Sequence, residues 1–311
     1  MNPKRLNPMP KSVINLSNFI NLKAKAASVF AFLTGLVFVL SQNPHALNPD
    51  ALIFFIAMLS FDIVNTSINS TADVYLSKEQ KKIYPLYACL LLILLFLLVS
   101  LALSLYLACK YGLPLLIVGA FCFAVGIFYS LPPVSINKTH YGEAFAGFTM
   151  GFCIPLLVVL INLPQSDFLS VTLTGLSLCG SINLPNLLYL FLFTMPSVGG
   201  VFCMLLANDI CDLPDDVAAK RYTLPYRLGQ KYSFVLLAAV HVLIFTAIIA
   251  VAFISKNYFI LLALAAACFA AKNLKKFISH PKKENYRVII NNFMIITLFY
   301  LITNLAGIYA K

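Results

Sequence analysis

The sequence predicts an all-α fold: a polytopic membrane bundle of nine transmembrane helices. Of its 311 residues, 61% are hydrophobic and 11% are charged, against about 25% charged residues in an average soluble domain. Nine apolar runs approach the roughly 20 residues that a helix needs to cross a bilayer. The basic residues also alternate between the two sides of these runs. We therefore expect one membrane domain covering residues 1–311.

The nine predicted helices follow one another along the whole chain, with boundaries good to a few residues. Eight cysteines lie scattered through these runs with no C-x-x-C pair, so neither a disulfide framework nor a zinc site is indicated. The eighth run is the shortest. The predicted spans are roughly Ala26–Gln42, Ala51–Asn69, Tyr84–Ala108, Leu115–Leu131, Ala144–Leu163, Asn186–Ala207, Tyr232–Ile254, Tyr258–Ala271 and Val288–Ala310.

Lysine and arginine residues divide unequally between the two sides. Of the 22, 19 lie in the N-terminal segment and in the loops after helices 2, 4, 6 and 8, and the other side keeps only Lys110, Lys256 and Lys311. The positive-inside rule then places the N-terminus in the cytoplasm and the C-terminus outside. We expect a multi-pass protein of the cell (inner) membrane. Topology also explains the net charge of +11, so no nucleic-acid partner is indicated.

A first polar cluster ends the second predicted helix. Asp62, Asn65, Asn69 and Asp73 follow spacings of 3, 4 and 4 and share one helical stripe, and Glu79 lies just beyond. The stripe points into the bundle, because lipid would leave these side chains without hydrogen-bond partners. Carboxylate and amide oxygens are the ligands that Mg²⁺ prefers. Taken alone, however, such a stripe is also typical of a polar seam between helices.

A second polar cluster, N-D-I-C-D-L-P-D-D, covers residues 208–216. If the sixth helix continues through Pro214, then Asn208, Asp212 and Asp216 lie on one face. Other acids could replace these as ligands: Asp209 and Asp215. Taken alone, this stretch is typical of a solvated loop. Both clusters, however, lie at the ends of apolar runs, on the same predicted face of the membrane. Together they predict a shared Mg²⁺ and a phosphorylated substrate. Their separation by four helices also suggests a duplication, with helices 1–4 and 5–8 as pseudo-repeats and helix 9 appended.

Basic residues flank both clusters. Arginine grips phosphate in a bidentate manner, and lysine acts as a point charge. The basic residues on the second half of the last cytoplasmic loop (Lys275, Lys276, Lys282 and Lys283) are better explained as topogenic or as contacts to anionic lipid. The candidates for a phosphate site are Lys23, Lys25, Lys138, Lys220, Arg221 and Arg227.

The chain resembles the UbiA superfamily of intramembrane aromatic prenyltransferases along nearly its full length. The most specific stretch is N-D-I-C-D-L-P-D-D-V-A-A-K-R-Y-T-L-P-Y-R-L-G, at 208–229, which is similar to the family's second Asp-rich motif and its T-L-x-x-R-L-G ending. Y-S-L-P-P at 129–133, followed by Lys138, and L-K-A-K-A-A-S at 22–28 resemble two further family patterns.

The first motif departs from the usual N-D-x-x-D-x-x-x-D, because Ser70 and Ser77 replace two acids. A naphthoate-subgroup register fits as Asn69, Asp73 and Glu79, and an alternative register is Asn65, Asn69 and Asp73. Y-G-E-A-F-A-G-F-T-M-G at 141–151 resembles the 1,4-dihydroxy-2-naphthoate polyprenyltransferase subgroup, with Gly-Glu opening helix 5.

The resemblance implies Mg²⁺-dependent transfer of a polyprenyl chain from an allylic diphosphate to a small aromatic acceptor. Terpene cyclisation on the same fold, other acceptors (4-hydroxybenzoate, homogentisate, glyceryl phosphate or a carotenoid) and, less so, a transporter are the alternatives. The implied catalytic residues are Asp73, Asp212 and Tyr129. The implied metal ligands are Asn69, Asp73, Glu79, Asp212 and Asp216. The implied diphosphate-binding residues are Lys23, Lys25, Lys138, Arg221, Arg227, Asn65 and Asn208.

Overall fold

A computed structural model of the chain describes residues 25–76, 85–131, 134–175 and 177–310. Within these ranges, nine helices are long and apolar enough to cross a membrane, which confirms the predicted architecture. In chain order the helices are α1 Lys25–Gln42, α2 Asp50–Leu76, α3 Leu86–Tyr111, α4 Leu113–Ser130, α5 Gly142–Asn162, α6 Leu184–Ala218, α7 Leu224–Ile254, α8 Tyr258–Ser279 and α9 Lys283–Tyr309.

The two helices that carry the polar clusters both extend beyond their predicted ends. Helix α2 continues to Leu76, and α6 continues to Ala218 with Pro214 in its interior. Proline removes one amide donor but does not stop a helix whose other turns are held by packing. The first cluster up to Asp73 and the whole second cluster therefore lie on helices.

Three helices contain irregular turns. Residues Thr149–Cys153 of α5 form a π turn just before Pro155, a common adjustment where a proline lacks its amide. Helix α7 is broken at Gly229, whose φ of 75° suits glycine. Helix α8 begins as a 3-10 helix over Tyr258–Ala265. Because of the break at Gly229, α7 begins with a short helical segment that the seventh apolar run did not predict.

A two-stranded antiparallel hairpin lies between α5 and α6. It is the one sheet among the described residues, and the all-α prediction did not include it. Its strands are β1 Leu169–Thr174 and β2 Ser177–Ile182, and Gly175 supplies a φ of 63° at the turn. Apolar and hydroxyl residues alternate along β1, which is the period of a strand. The signal spans only six residues and is easily hidden among apolar helices.

The core forms around α1, which packs against α5, α6 and α9. Phe38, Phe193 and Tyr300 are fully buried and stack against one another with ring centroids 5.1 and 5.3 Å apart. Gly35 lets α1 approach α5 closely, because a Cβ at this position would lie 2.8 Å from Val158 Cβ. Helix α3 is different: most of its leucines are exposed, as expected for a helix that faces lipid.

A cluster of polar side chains (Asn48, Asp50, Lys110 and Tyr111) lies at the end of the bundle where α2 begins, and we call it the polar lock. Lys110 Nζ lies 2.6 Å from Asp50 Oδ2, and the Tyr111 hydroxyl donates to the same oxygen at 2.8 Å. Asn48 Nδ2 donates to the Tyr111 hydroxyl oxygen at 2.7 Å. The lock ties the start of α2 to the end of α3.

The second half of the bundle contains a buried polar chain through His241. Its Nδ1 lies 2.8 Å from Leu237 O, and Asn292 Nδ2 lies 3.3 Å from its Nε2. Asn273 Nδ2 donates to Asn292 Oδ1 at 2.7 Å. His241 is therefore a hydrogen-bonded residue of the bundle interior.

Candidate active site

The two polar clusters lie at the same end of the bundle, joined by the loop after α4. Asn69 Oδ1 accepts hydrogen bonds from Ser130 Oγ and Asn137 Nδ2, both at 3.3 Å. In the next turn, Lys138 O accepts a hydrogen bond from Tyr222 N at 2.9 Å. This short loop therefore contacts α2 on one side and the chain after the second cluster on the other.

Lys25 is committed to an acid of the first cluster. Its Nζ donates to Asp62 O at 2.7 Å, to Asp62 Oδ1 at 2.9 Å and to Thr66 Oγ1 at 2.9 Å. Ser28 Oγ donates to the other Asp62 oxygen at 2.6 Å. All three ammonium hydrogens are thus used inside the bundle, and Lys25 joins α1 to α2. Its predicted contact with a diphosphate stays a prediction.

An apolar cavity of about 370 Å³ lies directly below the first cluster, between α1, α2, α3, α4 and α5. Its polar end is formed by Ser28, Asp62 and Asn65, and the rest of its wall is mainly Leu, Phe, Met, Ala and Gly. Asn65 Oδ1 is buried and receives no hydrogen bond from the described residues. Gly119 contributes to the α4 wall, and a Cβ at this position would meet no atom within 4 Å. The cavity can therefore accept an apolar chain whose head lies at the cluster.

Two of the four acids in the second cluster are paired with basic residues. Lys283 Nζ, at the start of α9, lies 2.8 Å from Asp212 Oδ1. Arg221 Nη1 lies 3.8 Å from the buried Asp216 carboxylate, and its amide donates to Asp216 O at 2.8 Å. The sequence analysis missed Lys283, because nothing in a run of loop lysines distinguishes the one that reaches α6.

A further acidic residue, from α5, lies at this end of the bundle. Glu143, in the first turn of α5, is 1% exposed, and its carboxyl group lies near that of Asp209 on α6. Tyr129, at the end of α4, lies within electrostatic range of Glu143, Asp209 and Arg221. The predicted Tyr129 is thus placed beside the second cluster, and Glu143 marks the meeting of α5 and α6.

The structure describes the side chains of some of the remaining predicted site residues but not of others. Arg227 is exposed on the short helical segment before Gly229, and no acid among the described residues contacts it. Asn208 Nδ2 donates to Asp209 Oδ1 at 3.5 Å. Asp73 lies on α2, but its side chain, together with Lys23 and Glu79, lies outside the described residues.

The acidic side chains do not form a complete metal cage by themselves. Within the described residues, no three His, Cys, Asp or Glu side chains meet in a metal-binding arrangement. The Asn65 and Asn137 Oδ1 atoms are buried acceptors without a hydrogen-bond donor among the described residues, whereas Asp212 Oδ1 is held by Lys283. Such a set of oxygens suits Mg²⁺, which typically takes one or two carboxylates and completes its shell with substrate phosphate and water.

Fold and site together define a class: a helical membrane protein in which acidic, amide and basic side chains lie above an apolar cavity. Comparison with known proteins gives the family. The chain matches the UbiA prenyltransferase family over residues 27–299, and it belongs to that family. It is accordingly an intramembrane prenyltransferase. Among curated protein sequences, none matches the chain.

Solved structures of low sequence identity share the fold. A UbiA homologue from Aeropyrum pernix K1 is 16% identical with a TM-score of 0.65, covering 89% of this chain and 96% of its own. A UbiA homologue from Archaeoglobus fulgidus, bound to GPP and Mg²⁺, is 15% identical with a TM-score of 0.59, covering 93% and 98%. A digeranylgeranylglyceryl phosphate synthase is 15% identical with a TM-score of 0.63, covering 97% and 100%.

Proposed function

We propose that this enzyme transfers a prenyl chain from an allylic diphosphate to a hydroxylated aromatic acceptor, with 1,4-dihydroxy-2-naphthoate as the leading candidate. One observation carries the proposal: an apolar cavity ends at Ser28, Asp62 and Asn65, immediately below the polar clusters. A prenyl diphosphate has the same division, with an apolar tail and an anionic head. The cavity is the place for the tail, and the clusters are the place for the head.

The head would be held through Mg²⁺. Asn69, Asp73 and Glu79 on the first motif and Asp212 with Asp216 on the second are the proposed ligands. When bound, Mg²⁺ neutralises the diphosphate and so favours its departure from the prenyl carbon. The Archaeoglobus fulgidus relative binds GPP and Mg²⁺ on the same fold, which supports this assignment.

The residues around the proposed metal ligands would stabilise the leaving group and the allylic cation. Arg221, which already lies beside Asp216, and Lys138, in the loop joining the clusters, would stabilise the charge on the departing diphosphate. The apolar cavity keeps water from the allylic cation until the acceptor attacks. Tyr129 packs with Ala146 and Met150 at the same end and would place its ring near that cation.

Location follows from the same reasoning. The distribution of basic residues among the loops supports a cytoplasmic position for the site-bearing end, by the positive-inside rule. The enzyme would therefore take its water-soluble acceptor from the cytoplasm and its prenyl substrate from the membrane. We assign it to the cell (inner) membrane.

The test is Mg²⁺-dependent incorporation of radiolabelled geranyl diphosphate into a panel of acceptors, including 1,4-dihydroxy-2-naphthoate and 4-hydroxybenzoate. We expect turnover with the wild type and its loss in Asp73→Ala and Asp212→Ala. Asp167→Ala, an exposed acid at the opposite end, is the matched control. Product formed without any acceptor would instead identify a terpene cyclase, and full activity of both site variants would refute the two-motif mechanism.

A further inference from the structure

The hairpin between α5 and α6 has two chemically different faces. Residues that lie opposite each other in an antiparallel pair share a face, and Leu169 is opposite Ile182, as Val171 is opposite Gly180. Because side chains alternate along a strand, Leu173 lies on the same face as Leu169 and Val171. We call the set of Leu169, Val171, Leu173 and Ile182 the apolar face.

The opposite face of the hairpin carries small polar groups. Ser170 Oγ and Ser181 Oγ lie 2.7 Å apart, and Thr172 Oγ1 donates to Cys179 O at 3.5 Å. Thr172, Cys179 and Ser181 are exposed. Neither strand contains a charged residue. The hairpin is therefore divided between an apolar face and a neutral, hydroxyl-bearing face.

The base of the hairpin fixes which face looks toward the bundle. Phe168, the residue before β1, is buried, and its ring centroid lies 6.1 Å from that of Phe38 on α1. Asn183 N, just after β2, donates to Phe168 O at 3.0 Å. Leu169 packs against the same core as Phe168. The apolar face thus begins over the core and looks toward the membrane side of the hairpin.

The bundle covers only the beginning of the apolar face. Leu173 and Ile182 are 63% and 64% exposed. Two residues beyond Ile182, helix α6 begins with Leu184, which is also exposed, as is Leu188 one turn later. Helix α6 crosses the membrane, so its exposed leucines face lipid. The apolar face is therefore continuous with the lipid-facing surface of α6.

We propose that the hairpin lies flat in the interface of the bilayer, at the end of the bundle opposite the polar clusters. Its apolar face then contacts the acyl chains, and its hydroxyl face contacts headgroups and water. Amphipathic segments bind this region with the apolar face buried by about 5–10 Å. The hairpin cannot lie deeper, because each strand of this two-stranded sheet has an outer edge whose backbone groups need water. A two-stranded hairpin alone is marginally stable in water, so the bilayer also stabilises its fold.

A second copy of the chain is a less favoured occupant of the apolar face. Each strand has six residues. Six residues extend over about 20 Å and two strands are about 10 Å wide, so the face offers only about 200 Å². A stable protein interface buries about 800 Å² on each partner. Contact with lipid requires no such minimum area.

The experiment uses fluorescence, because the chain contains no tryptophan and one introduced indole is then the only one. Leu173→Trp and Thr172→Trp place it on opposite faces at adjacent positions. The full chain is reconstituted into phosphatidylcholine vesicles whose acyl chains are unlabelled, brominated near the headgroup, or brominated near the terminal methyl group. Leu98→Trp, at an exposed position in the middle of α3, is the control for the bilayer centre.

We expect bromine near the headgroup to reduce the emission of Leu173→Trp about twofold, because an indole buried by about 5–10 Å lies beside it. Thr172→Trp should be quenched less and should emit at longer wavelength. Bromine near the terminal methyl group should instead quench Leu98→Trp most. Ile182→Trp and Ser181→Trp form a second pair on opposite faces, which replaces the first if Leu173→Trp does not fold.

Three results would overturn the inference. Equal quenching on the two faces would show that the hairpin has no preferred orientation toward lipid. Emission of Leu173→Trp at long wavelength, with quenching by iodide and none by bromine, would place the apolar face in water. Emission at short wavelength without bromine quenching, increasing with the ratio of protein to lipid, would identify a second copy as the occupant.

Discussion

The two polar clusters each have a lysine partner, but the two lysines are held differently. Lys25 is 7% exposed and gives three hydrogen bonds to Asp62 and Thr66. Lys283 has a side chain that is 68% exposed and reaches a single oxygen of Asp212. The first ion pair lies within the bundle, and the second lies at its rim.

This difference separates a structural cation from an exchangeable one. Removing one partner of a buried ion pair leaves a charge that water cannot solvate. An exposed pair contributes little and is easily replaced by other ions. We infer that Asp62 is withdrawn from metal chemistry by Lys25, whereas Asp212 stays available to Mg²⁺ once Lys283 moves aside.

The largest expected effect comes from Lys25→Met, which leaves the mostly buried Asp62 carboxylate, 15% exposed, without its cation. We expect a loss of about 3–5 kcal/mol in the free energy of unfolding, measured as thermal unfolding in detergent. Lys272→Met, exposed on α8, is the control. Replacing Asp62 by Leu in the same chain should restore part of the loss. Equal stability of Lys25→Met and the control would show that the buried pair has no structural role.

Asp212→Asn should show the opposite pattern. Because the proposed role of this carboxylate is to act on the diphosphate through Mg²⁺, we expect turnover to fall on the order of 100-fold while the unfolding temperature changes little. The two quantities are measured on the same preparation, with Asp167→Asn alongside. A variant that loses stability as strongly as activity would place Asp212 with Lys25 among the structural residues.

Asn69→Ala tests whether the first cluster still contributes to the metal. Asn69 Oδ1 accepts two hydrogen bonds at 3.3 Å, from Ser130 at the end of α4 and from Asn137 in the loop after it. Its proposed role is therefore double: it binds Mg²⁺ and it holds this loop in place. We expect half-saturating Mg²⁺ to rise about tenfold in an activity titration. An unchanged value would assign metal binding to other residues.

The smallest effect is expected for Lys283→Gln. Without a lysine competing for Asp212, half-saturating Mg²⁺ should fall about two- to fivefold, the range of an exposed ion pair. Added salt should shrink the difference, because it screens exposed charges. Lys282→Gln, the adjacent exposed lysine, should behave as the wild type. A rise in half-saturating Mg²⁺ would mean that Lys283 assists metal binding instead of opposing it.

The sequence was most informative where one local rule was sufficient. Nine apolar runs gave nine helices, because bilayer thickness sets their length. The spacing of Asp62, Asn65 and Asn69 placed all three on the inward stripe of α2, since each contacts α1 or α4 or lines the cavity between them. The N-D-I-C-D stretch indicated α6 as the second half of the site.

Partners distant in the chain were not predictable in this way. Lys25 and Asp62 are 37 residues apart, and Lys283 reaches Asp212 from another helix. Glu143 was singled out by its Gly-Glu context, but its proximity to Asp209 depends on how α5 packs against α6. Charge and spacing predict which residues are unusual, and only packing decides which of them meet.

Helix α3 gives the cavity a wall one helix thick. Ser100, Leu101, Ser104 and Leu105 of α3 border the cavity, while Leu94, Leu95 and Leu98 of the same helix are exposed. The lock of Asp50, Lys110 and Tyr111 joins α2 to α3 at the far end of the bundle. A tail too long for the cavity has its nearest exit sideways, past α3 and into the bilayer. The lipid phase is then a compartment of the reaction, so that substrate supply and product removal depend on diffusion in the plane of the membrane.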